Sequence, residues 1–122
     1  MWTWWLITGF VILVLMFKVF LAHDISVDDA AEKLKNGALL IDTRTKGEFD
    51  SGHVTGAINL PLHAIQQAPE TEPDKNKQLV LYCHGGGRAA IAASKLRAMG
   101  YADVANVGSV RRAKKALNQA QS

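Results

Sequence analysis

Cys83 is the only cysteine of the chain, and it sits in the run YCHGGGRAA, residues 82–90. A thiolate is a strong nucleophile and a neutral thiol a weak one, so the neighbours of a cysteine decide what it can do. Gly85, Gly86 and Gly87 let the backbone curl tightly, with no Cβ in the way and positive φ where the turn needs it. Successive amide N–H groups can then face inward as a nest for an anion. Arg88 follows at once, in what should be the first turn of a helix, where a cation opposes the helix macrodipole. An anion held in the loop accounts for that placement, and the same field favours the Cys83 thiolate. Taken alone, a cysteine ending a buried strand is usually a small hydrophobe. The three glycines, the arginine and the strand-to-helix position together point to a nucleophile cradled by backbone N–H groups. His84 is read as an exposed modulator, because adjacent side chains at a turn commonly diverge.

The elements that must hold this loop can be read from periodicity and punctuation. Ser26 reads as an N-cap with Asp29 three residues on. Val27, Ala30, Ala31 and Leu34 then form a helical stripe that Asn36-Gly37 stops. ALLIDT, 38–43, and GAINLP, 56–61, read as buried strands, with KGEFDSG, 46–52, a turn or short helix between them. HAIQQ, 63–67, suits a helical turn, and APETEPDKNK, 68–77, a surface loop. QLVLYC, 78–83, is the third strand. A helix runs from Arg88 to Met99 and stops at Gly100. DVANV, 103–107, is the fourth strand, and Ser109 can cap a last helix to about Leu117. Strands alternating with helices predict an α/β domain with a mostly parallel central sheet flanked by helices. Ligands of such sheets bind outside the carboxyl ends of the strands, where Cys83 lies.

Residues 1–23 read differently from the domain at 24–122. Trp4–Ala22 is apolar except for Lys18, and nineteen helical residues rise roughly 28 Å, close to the hydrocarbon thickness of about 30 Å. Lys18 can snorkel at one end, and Trp2, Trp4 and Trp5 suit the opposite interface. The expectation is one transmembrane helix, a single-pass anchor at the membrane. A cleavable signal peptide is the rival, opposed by the lack of Lys or Arg before the apolar run and by Phe20 three places before a cleavage at His23. The net charge is +3. Lys18 and the RRAKK cluster at 111–115 carry it, and the remainder is slightly acidic, so nucleic-acid binding finds no support. One cysteine excludes an intramolecular disulfide framework and a multi-cysteine zinc site. No metal and no cofactor is expected. His23 and His63 read as surface residues.

At these residues the chain resembles the rhodanese-like sulfurtransferases, over about 24–110. LLIDTRTKGEFDSGHVTGAINLPL looks like the first signature of that family, with Asp42, Arg44, Glu48, Phe49, Gly52, His53, Gly56, Ala57, Asn59 and Pro61 in order. VLYCHGGGRAAIAASKLRAMGYADVANV looks like the active-site strand, loop and helix with the strand that follows. PDKNK with VLYC is similar to the small, exported phage-shock branch. After Val107 the chain departs, with Gly108-Ser109-Val110 where many relatives have Gly-Gly and an aromatic.

The resemblance implies a rhodanese-like fold and a two-step sulfur transfer. Cys83 would be the catalytic nucleophile, taking a sulfane sulfur from a donor such as thiosulfate or a persulfide and passing it to a thiol or cyanide. His84, Gly85, Gly86, Gly87 and Arg88 would form the substrate-binding loop, and Asp42 and Arg44 would support it. Paired-ion or capping roles are preferred for Asp42 and Arg44, with Arg44 the better candidate to attract an anionic donor. Glu48 reads as a helix-terminal charge and His53 as a packing and hydrogen-bonding residue. Two other function classes stay open: a cysteine phosphatase of the related dual-specificity type, and a noncatalytic docking module. The phosphatase loop resembles this one with five residues between Cys and Arg; here there are four. Positive-inside counting, with Lys18, Lys33 and Lys35 on the domain side, slightly favours a cytoplasmic domain. The likeness to an exported branch favours the periplasm, which is the expectation adopted.

Overall fold

A computed structural model describes the backbone of residues 2–21 and 24–122 and the side chains of 2–16 and 24–122. Helix α1 spans Trp2–Leu21. The domain that follows begins with helix α2, Val27–Lys35, capped by the Ser26 hydroxyl, which accepts from the Asp29 N–H at 3.0 Å. Strand β1 is Leu39–Asp42, helix α3 Lys46–Asp50 and strand β2 Ile58–Asn59. A 3-10 segment at Leu62–Gln67 leads into the single turn α4, Ala68–Thr71, then strand β3, Leu79–Cys83. Helix α5 is Gly87–Ala98, strand β4 Val104–Ser109 and helix α6 Val110–Ala120.

The sheet order is β2-β1-β3-β4, and every pairing is parallel. Alternation along the strands sorts side chains to two cores, since successive residues face opposite ways. Ile41, Leu79, Leu81 and Cys83 face α5 and the 3-10 segment. Leu40, Val80, Tyr82 and Val107 face α2 and α6. Cys83 therefore points to the α5 side by parity with Leu79 and Leu81. Ala89, Ala92, Ala93 and Leu96 recur at i, i+3, i+4, i+7 and are fully buried. Their small side chains let α5 lie close on the sheet, so the loop preceding it is held tightly at the strand end.

Three segments differ from the sequence expectation. The strand expected over 56–61 forms only at Ile58–Asn59, on the sheet edge, and Pro61 cannot donate to a ladder. The 68–77 loop contains α4, whose Pro69 occupies a first-turn position where a missing N–H costs nothing. Strand β4 runs on to Ser109 because a bulge opposite Leu81 and Tyr82 absorbs Val107, and Gly108 takes the left-handed φ of 106° that the irregularity requires. Ser109 then caps α6, accepting from the Arg112 N–H at 3.2 Å, so the Gly108-Ser109-Val110 departure still closes the strand-to-helix turn.

The anchor expected over 4–22 finds no support among the described residues, and part of it lies outside them. No helix among the described residues is long and apolar enough to cross a membrane. The described side chains of α1 end at Met16, and residues 2–16 rise roughly 22 Å, short of the hydrocarbon thickness. The expected snorkelling of Lys18 and the surface position of His23 lie outside the described residues.

Candidate functional site

The carboxyl ends of β1 and β3 are neighbours, with Asp42 paired to Tyr82 in register. The chain leaves β1 as Thr43-Arg44 and leaves β3 as Cys83-His84, so both motifs emerge side by side. Thr43 ties the two exits together: its N–H and its hydroxyl both donate to the Tyr82 carbonyl, at 2.9 and 3.0 Å.

Cys83 is buried, 1 % exposed, and its Sγ accepts the Gly86 N–H at 2.9 Å. That bond needs Gly86 at φ 101°, a left-handed conformation that a Cβ would strain. Gly86 is also the residue before α5, so the strand end, the curl and the helix start meet at the sulfur. His84 and Gly85 are exposed on the outer side of the loop, as expected for His84. A Cβ on Gly85 would meet nothing within 4 Å, so the space beside it is open.

Arg88 lies where the helix-start reading placed it, but its guanidinium is engaged. Its Nη1 and Nη2 donate to the two carboxylate oxygens of Glu48 at 2.6 and 3.0 Å. Glu48 also completes a capping box with Thr45 at the start of α3, which bears out its reading as a helix-terminal charge. The Arg88 hydrogen bond holds the Glu48 carboxyl well down, at about 2, with the Thr45 backbone and hydroxyl adding to the effect. Arg88 is raised in turn, first by Glu48, with the charge of Cys83 a smaller contribution in the same direction. The loop cation is thus paired with an anion forty residues away, and its positive charge is largely balanced.

Asp42 and Arg44 form a buried fork. Arg44 donates to Asp42 Oδ2 from Nη2 at 2.8 Å and from Nε at 3.0 Å, and the Arg44 N–H meets Oδ1 at 2.9 Å. Nη2 also donates to the Gly52 carbonyl at 2.7 Å. The paired-ion role holds. Arg44 is only 8 % exposed, with Nε and Nη2 engaged by Asp42 and Gly52. The Tyr82 hydroxyl accepts from the Val54 N–H beneath this fork, and burial pushes the phenol up to about 12. His53 stacks on Phe49 with ring centroids 3.6 Å apart, and its Nδ1 lies 2.9 Å from the Phe49 carbonyl, in keeping with packing and hydrogen bonding.

Sequence reasoning missed Asn106. It is buried in β4, and its amide nitrogen donates to the Gly86 carbonyl at 3.1 Å while its oxygen accepts from the Gly108 N–H at 2.9 Å. A polar residue among the apolar neighbours of DVANV was the available signal. Also missed was a cleft of about 340 Å³ beside Arg88, lined by Thr43, Thr45, Leu62, His63, Arg88 and Lys95.

A family model described as the rhodanese-like domain matches residues 26–111, which takes in both motifs and every residue of this loop. The chain belongs to the rhodanese-like domain family. Its α/β fold, with a parallel sheet flanked by helices, is the rhodanese fold. The chain is similar to the thiosulfate sulfurtransferase PspE of Escherichia coli, 38% identical over 72 residues that cover 58% of this chain and 69% of that protein. Among solved structures it is similar to a rhodanese with anions from E. coli, with TM-score 0.59 and 34% identity over 62% of this chain and 91% of the other. A human single-domain sulfurtransferase, TSTD1, superposes with TM-score 0.64 and 27% identity over 75% and 94% of the two chains. In this rhodanese-like domain the match begins at Ser26, so α1 lies outside it.

Proposed function

We propose that this chain is a rhodanese-type sulfurtransferase that carries sulfane sulfur as a persulfide on Cys83. The observation that carries the reading is the loop itself: a buried thiol at a strand end, with four residues between it and Arg88 and a backbone N–H nitrogen already 2.9 Å from its sulfur. In the first step the Cys83 thiolate attacks the outer sulfur of thiosulfate. The sulfur–sulfur bond of the donor breaks, and sulfite leaves with the electron pair. The outer sulfur remains on Cys83, and the N–H groups of the curl suit its negative charge. A thiol or cyanide then removes it. Four intervening residues make a narrow ring, suited to one sulfur more than to a tetrahedral phosphoryl group.

Mass spectrometry of the purified protein after thiosulfate tests this. One added sulfur on the Cys83 peptide, lost on addition of cyanide with thiocyanate formed and absent in Cys83→Ser, is the expected result. Phosphatase turnover dependent on Cys83 without a persulfide would replace the reading with the phosphatase one. Absence of both activities with every sulfane donor tried would leave the docking module.

The membrane anchor rests on α1. Trp2, Trp5, Phe10 and Met16 are each at least 66% exposed. Continued to Leu21, the helix has 20 residues and rises about 30 Å. Retention of the full-length chain in membranes after alkaline carbonate washing supports the anchor, and release of a shortened soluble form rejects it. We take the domain to be periplasmic on the resemblance to the exported branch alone, and digestion by protease added to spheroplasts tests that side.

A further inference from the structure

The cleft beside Arg88 has a composition that the sulfur chemistry leaves unused. Its lining is Lys95, His63, Leu62, Arg88, Thr43 and Thr45, and the hydroxyls of the two threonines are already donated to the Tyr82 carbonyl and to Glu48. None of these six side chains is acidic. The charge of Arg88 is balanced by Glu48, whereas Lys95 makes no ion pair among the described residues. Lys95 stands seven residues after Arg88 on α5, two turns along, so the two face the same way. The volume, about 340 Å³, falls in the range of roughly 300–1,000 Å³ seen for small organic ligands and exceeds what a small oxyanion fills. Leu62 gives an organic stem something to cover, which cyanide and thiosulfate do not have.

We propose that this cleft binds the sulfur acceptor, and that the acceptor is a low-molecular-weight thiol bearing a carboxylate, with Lys95 as the specificity-determining cation. The inference rests on the sulfurtransferase reading above. The carboxylate pairs with Lys95, His63 supplies a hydrogen bond, and the thiol end passes Arg88 and Thr43 toward the loop. There the acceptor thiol gives its proton to the outer sulfur of the Cys83 persulfide anion, and the resulting acceptor thiolate attacks that sulfur. A bond forms between acceptor sulfur and outer sulfur, and the bond from outer sulfur to Cys83 Sγ breaks. The electron pair returns to Sγ as thiolate, and the proton stays on the departing hydropersulfide.

The test loads the full chain with sulfur from thiosulfate, verifies the persulfide by mass, and follows single-turnover transfer to mercaptopropionate and to its uncharged amide. The wild type should prefer the carboxylate by about tenfold at sub-saturating thiol. Lys95→Gln should bring that ratio close to one through weaker acceptor binding, and Lys95→Arg should keep most of it. A ratio near one in the wild type, or a ratio unaltered by Lys95→Gln, overturns the proposal while leaving sulfur transfer standing. A loss in Lys95→Gln confined to loading by thiosulfate also overturns it, since the cleft would then serve the donor. Failure of the wild type to take up sulfur from any sulfane donor overturns the sulfurtransferase reading and this inference together.

Discussion

The side-chain amide of Asn106 donates to the carbonyl of Gly86 at 3.1 Å, across from the strand that ends in the thiol. Gly86 is the residue whose N–H meets Cys83 Sγ, so one peptide-bonded residue is held from behind by β4 while it faces the sulfur in front. The loop is positioned by a buried hydrogen bond as well as by its glycines.

Asn106→Leu tests that support. It leaves the Gly108 N–H without its Asn106 partner, and an unsatisfied buried group costs about 1–3 kcal/mol, while the Gly86 carbonyl keeps only the Ala90 N–H at 2.9 Å. A lowered denaturation midpoint is expected. Sulfur loading by the still-folded protein should also slow, because Gly86 loses its hold. Loading at the wild-type rate in a folded Asn106→Leu protein would show that the curl holds its shape alone.

The two glycines of the loop should respond differently to a methyl group. At Gly86, φ is 101°, and an alanine there costs about 1–2 kcal/mol while turning the N–H away from the sulfur. At Gly85 nothing lies within 4 Å of the added Cβ and φ is not positive, so Gly85→Ala should fold with near wild-type stability. Thermal melts of both variants, followed by persulfide yield, check this. Equal stability for the two would contradict the left-handed assignment at Gly86.

The Asp42–Arg44 fork is buried, so removing one partner leaves the other charge unpaired. Asp42→Ala should cost about 3–5 kcal/mol in urea unfolding. Replacing both by apolar residues should cost less than the sum of the single changes. A double-mutant cycle reads the difference, and simple additivity would show that the two do not act as a pair.

The Glu48–Arg88 pair carries a defined pH dependence. The Glu48 carboxyl sits at about 2 in the folded chain, below its ordinary value near 4.5. Between those two values the unfolded chain binds more protons at this site, so stability rises with pH there. The contribution is complete above about pH 4.5 and is lost as pH falls through about 2. The melting temperature of Glu48→Gln should therefore lie below that of the wild type near neutrality, and the gap should narrow on acidification toward pH 2. A gap independent of pH would remove the ion pair from the account.

Much of this molecule follows from neighbours in the chain. The caps at Ser26 and Ser109 act within three residues, the stops at Asn36-Gly37 and Gly100 act through local φ, and the helical stripe of α5 is a matter of period. The spacing from Cys83 to Arg88 is local too, which is why the curl at the thiol was legible before any coordinates. The partners of the charges were not. Arg88 read as a cation free to meet an anion in the loop, and it faces Glu48. Arg44 read as a candidate to attract the donor, and its Nε and Nη2 meet Asp42 and Gly52. These outcomes depend on the parallel register that sets Asp42 beside Tyr82 and brings α3 against the start of α5. A slip of one residue would turn every side chain of a strand to the other face, and that register is decided by the burial of two cores at once. The same register puts Asn106 behind Gly86 and gathers Thr43, His63 and Lys95 around one cleft, from segments with no local reason to meet.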